Sequence, residues 1–402
     1  MVGYSETLKS PAWFSKAGRR LRIVMSLVVL MMLPAGAYGA QAATAGKAAW
    51  EGEWDKVVAA GGKEGKLTAV VTSDFVRNYR SLIEHFERKF GIKVTLEGSG
   101  RGAAGANRII AEANAGLYNV DYLGQGTTNV GMLVDAGLAA PVAESLILPE
   151  VIDQSLWYGG KHWYSDQQQK YSFQYVASHR GADLAINTNL IKAEEITSFW
   201  DLLKPKYRGL IVTGFIGESG QAGSIQEWYG HPELGPEFLR RLVLETGMTM
   251  VADRETALDW LITGKKGIMF LIGDLATPIR DAKKFGAPVD RVTKDLKEGA
   301  VIAGGGGGVM LQVPKGAPHP NASKVFINWI LSKEGQLMLQ RANSARDSLR
   351  IDIPKDMVNP DDRRRENLTY IFPGADPKFQ ALRAEALEFA KDLAKKWQEL
   401  QR

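Results

Sequence analysis

The chain has 402 residues, with 50 Lys+Arg against 45 Asp+Glu, 45% hydrophobic residues and no cysteine. That length holds two domains of ordinary size, and the composition is that of a globular chain with sizeable cores. The lack of cysteine excludes a disulfide scaffold, a Cys-ligated zinc or iron–sulfur site and a thiol nucleophile.

Most of the net charge of +5 lies at the start of the chain, where Lys9, Lys16, Arg19, Arg20 and Arg22 stand against Glu6. Arg19, Arg20 and Arg22 precede the apolar run Ile23 to Leu33, which leads through Pro34 into AGAYGAQAA. A cationic end, an apolar helix and then small residues form the order of parts of a signal peptide. The run is short of the ~20 residues that span a bilayer. Residues 1–42 are therefore expected to be removed, after Ala40 or Ala42, leaving a soluble periplasmic chain. No cysteine follows the run, so no lipid anchor is expected, and a basic footprint for nucleic acid goes with the signal.

From Lys66 short apolar runs alternate with helical patterns, which predicts an α/β fold with mainly parallel sheets. Leu67 to Asp74 reads as a buried strand whose Asp74 caps a helix with the apolar face Val76, Tyr79, Ile83, Phe86 and Phe90. His85 falls on the opposite, charged face and reads as a solvated surface histidine. Ile92 to Gly98 is the next strand, Arg108 to Ala115 a helix after a glycine-rich turn, and Asn119 to Gly126 a third strand. Three such units make one open-sheet domain, with ligand chemistry expected beyond the carboxyl ends of the strands.

Tyr171 to Ile191 is longer than one strand needs and suits a crossing between lobes. A second α/β unit begins at Ile196, with Ser198 as a helix cap. Met248 to Asp274 reads strand, helix, strand, and Val301 to Arg341 reads as an extended return and a helix with the stripe Val325, Phe326, Trp329 and Ile330. Phe379 to Leu400 is an amphipathic helix.

Gly100, Gly102 and Gly105 spell the dinucleotide pattern G-x-G-x-x-G, with Asp121 further on, but the pattern follows the second strand of the domain rather than the first. The more general reading is of free amides at a helix start, with Arg101 beside them, drawing an anionic oxygen. Gly214 to Ser224 (GFIGESGQAGS) repeats the theme without the hydrolase elbow G-x-S-x-G. His85, His162, His179, His231 and His319 lack zinc-site spacing. Gly304 to Gly308 reads as a loop.

The stretch Pro314 to Gln336 (PKGAPHPNASKVFINWILSKEGQ), followed by NSARDSLRID, resembles a region of the bacterial extracellular solute-binding proteins of ABC importers, in the type II group that includes ferric-iron binders. GLAAPV, the crossing that ends in AINTN, and DLLKPKYRGLI match in order. The resemblance implies two α/β lobes, each a mainly parallel sheet flanked by helices, joined by extended hinge crossings and closing over a solute. Lobe 1 would comprise residues 62–176 and 301–341, and lobe 2 residues 177–300 and 342–402.

Carried onto this sequence, the family's ligand loops fall at Thr72, Ser73 and Asp74, at Ser99, Gly100 and Arg101, and at Gln125. In the second lobe they fall at Ser219, Gly220 and Gln221, and at Gly273 and Asp274. Ferric binders of the group carry adjacent tyrosines near the last of these, whereas this stretch reads FLIGDLA and no Tyr-Tyr pair exists in the chain. The resemblance therefore implies a monomeric periplasmic binding protein for a small anionic or polar solute, without cofactor, metal ligands or catalysis, working with a permease and an ATPase. Ferric or chelated iron is the alternative solute, and a periplasmic enzyme on the same scaffold is the alternative of another class.

Overall fold

The computed structural model describes residues 48–99, 103–126, 130–179, 184–217, 225–273, 275–298, 310–366, 368, 370–372 and 374–402. The export segment and the run Gly304 to Gly308 lie outside them.

In the first lobe, helix α1 (Ala49–Glu64) precedes β1 (Lys66–Val71), α2 (Ser73–Phe90), β2 (Lys93–Gly98), α3 (Ala104–Asn114), β3 (Tyr122–Gln125), α4 (Val130–Asp135), β4 (Ala139–Ala140), β5 (Trp163–Tyr164) and β6 (Phe173–Gln174). The sheet order is β2-β1-β3-β12-β6-β5, with β12 (Met310–Pro314) returning late in the chain and β4 pairing with it. β1 is parallel to β2 (Val71 opposite Gly98) and to β3 (Ala69 opposite Tyr122).

Because side chains alternate along a strand, Leu67, Ala69, Val71 and Tyr122 point into one core, with α2. Val70 and Leu123 point into another, with Ala106 and Ile109 of α3 and Leu133 of α4. On α2 the buried face is Phe75, Tyr79, Leu82, Ile83 and Phe86, with Val76 and Phe90 packed at its margin. The N-cap of α2 is Thr72, so Asp74 falls in the first helical turn instead of capping it. His85 is half-buried rather than solvated: its Nε2 lies 2.8 Å from Glu334 Oε1 and its ring stacks near Trp329.

The second lobe carries β7 (Leu184–Asn187), β8 (Ile211–Gly214), α5 (Gly235–Glu245), β9 (Thr249–Val251), α6 (Arg254–Ile262), β10 (Ile268–Phe270), α7 (Ala276–Lys284) and β11 (Val289–Val292), in sheet order β11-β7-β10-β8-β9. Its central strands β7, β8 and β10 are buried on both faces. Leu184, Ile186, Ile211, Ile268 and Phe270 meet α5, while Ala185, Val212 and Met269 meet α6 and α7. Ser198 caps a 3-10 turn by accepting from the Trp200 amide.

Both sheets are mixed rather than mainly parallel. The carboxyl ends of β1, β2 and β3 share one edge, and β12, which arrives at that edge from the other lobe, runs antiparallel to β3. For the same reason β7, arriving in the second sheet, runs antiparallel to β10, although β8 is parallel to β9 and β10.

Helices α8 (Pro320–Leu331) and α9 (Lys333–Ala342) return to the first core. The segment that follows departs from the sequence expectation. Leu349, Tyr370 and Phe372 join the first core, and Val176 pairs with Ser348. Only after α10 (Pro377–Ala381) does α11 (Arg383–Leu400) place Ala390, Leu393 and Trp397 in the second core. Among the described residues no helix is long and apolar enough to cross a membrane.

Candidate functional site

The shared edge of β1, β2 and β3 brings together Thr72, Ser73, Ser99 and Gln125, each at or just past the end of its strand. They differ in what remains free to meet a ligand. Ser99 is committed to the scaffold: its amide and hydroxyl both donate to Val71 O, at 2.8 and 3.1 Å, pinning the end of β2 to β1. Gln125 is buried, and its Nε2 donates to Gln312 Oε1 at 2.7 Å. Gln312 in turn donates to Ser172 Oγ and Val130 O, so a chain of amides crosses from β3 through β12.

Thr72 is the exception. It is 7% exposed, its side chain makes no cap bond to α2, and its Oγ1 has no hydrogen-bond partner among the described residues. A buried hydroxyl without a partner costs about 1–3 kcal/mol unless something else satisfies it. Beside it, a Cβ at Gly98 would lie 3.0 Å from Ser73 Oγ and 3.4 Å from Ser73 Cα, so the end of β2 packs tightly on the start of α2.

Three tyrosines that the sequence reading did not single out as a group converge beneath this edge. Tyr122 Oη and Tyr175 Oη are 3.3 Å apart, and Tyr79 stacks on Phe75 with ring centroids 3.9 Å apart. The Arg346 guanidinium lies 5.4 Å from the Phe75 ring. Burial holds the Tyr79 and Tyr122 phenols well above their ordinary range and pushes Tyr175 up to about 12. Burial therefore favours the neutral form of all three phenols. Tyr79 had looked like an ordinary core position on its helix, and no spacing in the sequence links it to Tyr122 and Tyr175.

In the second lobe, the loop after β10 holds Leu271 at φ 47 and Gly273 at φ 93. Left-handed backbone at a leucine is strained, and the Leu271 carbonyl is held by Thr213 Oγ1 at 3.3 Å. Gly273 is exposed at the tip of the loop. Gly100, Arg101, Ser219, Gly220, Gln221 and Asp274 lie outside the described residues.

The residues of the dinucleotide pattern that are described have structural work. A Cβ at Gly105 would lie 3.0 Å from Leu123 Cδ1, so this glycine permits close packing of α3 on the sheet. Asp121 is fully buried, and its carboxylate accepts from Thr68 N at 2.8 Å and from His319 N and Nδ1 at 2.7 and 2.9 Å. It cannot reach a ribose.

Among the described residues no group of three His, Asp or Glu side chains is arranged to hold a metal. The five histidines are scattered: besides His85 and His319, His162 meets Val151 O, His179 meets Tyr370 Oη, and His231 Nδ1 accepts from the Glu233 amide.

A family profile described as bacterial extracellular solute-binding protein matches residues 81–344. The chain is 24% identical over 273 residues to the Fe(3+)-binding periplasmic protein of Serratia marcescens, an alignment that covers 66% of this chain and 73% of that one. Among solved structures, the apo ferric ion-binding protein A of Pasteurella haemolytica superposes with a TM-score of 0.61 at 14% identity, covering 83% of this chain and 98% of that one. The substrate binding protein of an ABC transporter from Agrobacterium tumefaciens gives a TM-score of 0.60 at 15% identity, covering 82% and 94%. These likenesses establish the two-lobe periplasmic-binding-protein fold, and the profile match spans both lobes. The chain belongs to the bacterial extracellular solute-binding protein family, whose members act by binding rather than by turnover.

Proposed function

We propose that the chain captures a small anionic or polar, oxygen-rich solute between its lobes in the periplasm and delivers it to an ABC permease driven by an ATPase. Export depends on the segment 1–42, and the working form is a monomer. Closure of the lobes on the solute shifts the open–closed population, which is how occupancy is signalled to a permease.

The observation that carries the solute class is Thr72, a buried hydroxyl without a hydrogen-bond partner among the described residues, at the start of an 18-residue helix. The amino end of such a helix favours negative charge, and a hydroxyl there donates to an anionic oxygen. Thr72, Ser73, Asp74, Gly100 and Arg101 form the first-lobe side of the proposed set, and Ser219, Gly220, Gln221, Gly273 and Asp274 complete it from the facing loops. Ser99 and Gln125 act on this reading by holding the strand ends in place.

A second reading, ferric or chelated iron, is favoured by the Serratia marcescens relative, which is named for Fe(3+) binding. The lack of a Tyr-Tyr pair in the chain weighs against bare Fe³⁺ and leaves a carboxylate chelate as the form compatible with both readings.

Calorimetry on the mature chain with inorganic phosphate, citrate, ferric citrate and glucose separates these readings. A solute present at about 100 times its Kd adds ~2.7 kcal/mol of stability, so a thermal-shift screen finds it first. Arg101→Ala should weaken the hit at least about tenfold, equivalent to ~1.4 kcal/mol. Stabilisation by glucose alone, or undiminished affinity in the Arg101 variant, would count against an anionic solute.

A further inference from the structure

We infer that His179 is a positioning residue of the hinge: as a neutral imidazole it locks the crossing strand to the end of β11, and its protonation releases that lock. The inference is independent of which solute is bound.

His179 sits on the crossing that joins β6 of the first sheet to β7 of the second. Just before it, the crossing is clasped by the segment after α9: the Ala177 amide donates to Asp347 O at 2.9 Å, and Ser178 Oγ donates to Ala345 O at 2.7 Å. A strap formed by residues 359–372 then ties this crossing to the strand by which the chain leaves the second lobe. The His179 amide donates to Asp362 O at 2.9 Å, and Asp362 Oδ1 pairs with Arg291 Nη1 of β11 at 2.8 Å. Arg365 of the strap pairs with Asp295, three residues beyond β11, at 2.5 Å. His179 lies between these two ion pairs, with its side chain fully buried.

Its contacts, with a carboxylate facing Nε2, favour the tautomer protonated there. Tyr370 Oη accepts from the Arg365 amide at 2.9 Å, so its own hydrogen is free to be given to His179 Nδ1, also at 2.9 Å. The neutral ring then carries its proton on Nε2, which faces Asp295 Oδ1 at 3.5 Å. A second proton, at Nδ1, would displace the Tyr370 hydrogen from its acceptor and leave that hydroxyl to find a new one. It would also put a cation into a cluster already holding Arg291 and Arg365, with Arg364 close behind on Ala177 O. Asp295 and Asp362 oppose the effect, but each is already paired with an arginine.

Burial, followed by the Arg365 charge, holds the His179 imidazole below its ordinary range, with Asp295 working the other way and Arg291 adding to the depression. The sign follows from linkage. The locked state binds fewer protons than a state in which the ring is hydrated and titrates near its ordinary value of about 6.5. The lock is therefore intact at neutral pH and is lost as pH falls from about 6.5 through the lower value of the locked state.

The test uses the mature chain without solute, combining an imidazole titration by NMR with small-angle scattering between about pH 7.5 and about pH 5. The expected result is a wild-type change in scattering whose midpoint coincides with a His179 titration below about 6.5. In His179→Asn, which keeps an acceptor for Tyr370 but has no proton to gain, that change should vanish. Tyr370→Phe, which removes the hydrogen bond favouring the neutral ring, should move the midpoint to higher pH and serves if the first variant folds poorly. The inference is overturned by a flat wild-type profile, by a full pH response in His179→Asn, by a His179 titration at or above the ordinary value, or by an unmoved midpoint in Tyr370→Phe.

Discussion

Replacing Asp121 by Asn tests whether this carboxylate is structural, as its geometry indicates, or belongs to a ligand site, as the glycine pattern alone would suggest. The carboxylate is fully buried and accepts three hydrogen bonds, one from Thr68 and two from His319, while its backbone carbonyl accepts from Ser323 Oγ at 2.7 Å. An amide of the same shape offers one acceptor oxygen and turns its NH2 toward a donor. Losing one charge-assisted bond at about 1.5–3 kcal/mol and stranding a buried donor at about 1–3 kcal/mol gives a total of roughly 2.5–6 kcal/mol. For a unit the size of one lobe this lowers Tm by about 5–24 °C, a shift that scanning calorimetry reads. Affinity for the solute, measured below that transition, should be unchanged. A variant with wild-type Tm and weakened binding would refute the structural assignment.

Two further perturbations address packing and the phenol cluster. Gly335→Ala would bring a Cβ within 2.0 Å of the Trp329 carbonyl oxygen and 2.8 Å of Ile330 Cα, all backbone, so the corner between α8 and α9 has to open. A loss of about 3 kcal/mol or more is expected in urea unfolding, and a neutral result would mean the corner is not so tightly closed in solution. Tyr79→Phe deletes a buried hydroxyl that has no hydrogen-bond partner among the described residues. It should leave stability unchanged or raise it by about 1 kcal/mol in the same assay, whereas a loss of that size would show that the hydroxyl is satisfied.

What was legible in the sequence was legible for local reasons. The 3.6-residue spacing on α2 and the alternation of strand and helix needed no knowledge of the partner surfaces. The mixed sheets were not legible, because antiparallel entry of β12 and β7 follows from where the chain crosses between lobes, which no window of residues records. The packing of residues such as Leu349, Tyr370 and Phe372 in the first core is illegible for a similar reason. They have no periodicity, and their attachment rests on pairs remote in sequence such as Trp157 with Arg350 and Val176 with Ser348. The motif that carried the resemblance is itself structural: Gly335 makes the α8–α9 corner possible, and the buried Gln336 donates to Ile330 O at 2.6 Å and accepts from Ser348 Oγ at 2.6 Å. Such a motif identifies a family well and a ligand poorly.

The same distinction narrows where selectivity resides. Of the first-lobe side chains expected to meet solute, Ser99 holds two strands together and Gln125 is tied to Gln312, so substituting either would disturb the scaffold before it disturbed recognition. The Tyr122–Tyr175 pair is likewise engaged internally. Thr72 is buried with a hydroxyl that has no hydrogen-bond partner among the described residues. One hydroxyl and a helix start distinguish an oxygen anion from an apolar solute but do not distinguish one oxyanion from another. On the proposed reading, finer discrimination comes from the facing lobe, where Leu271 and Gly273 hold left-handed backbone in the loop after β10. On this argument, exchanging the loop after β10 changes which anion is bound, whereas substituting Thr72 changes how tightly any anion is bound.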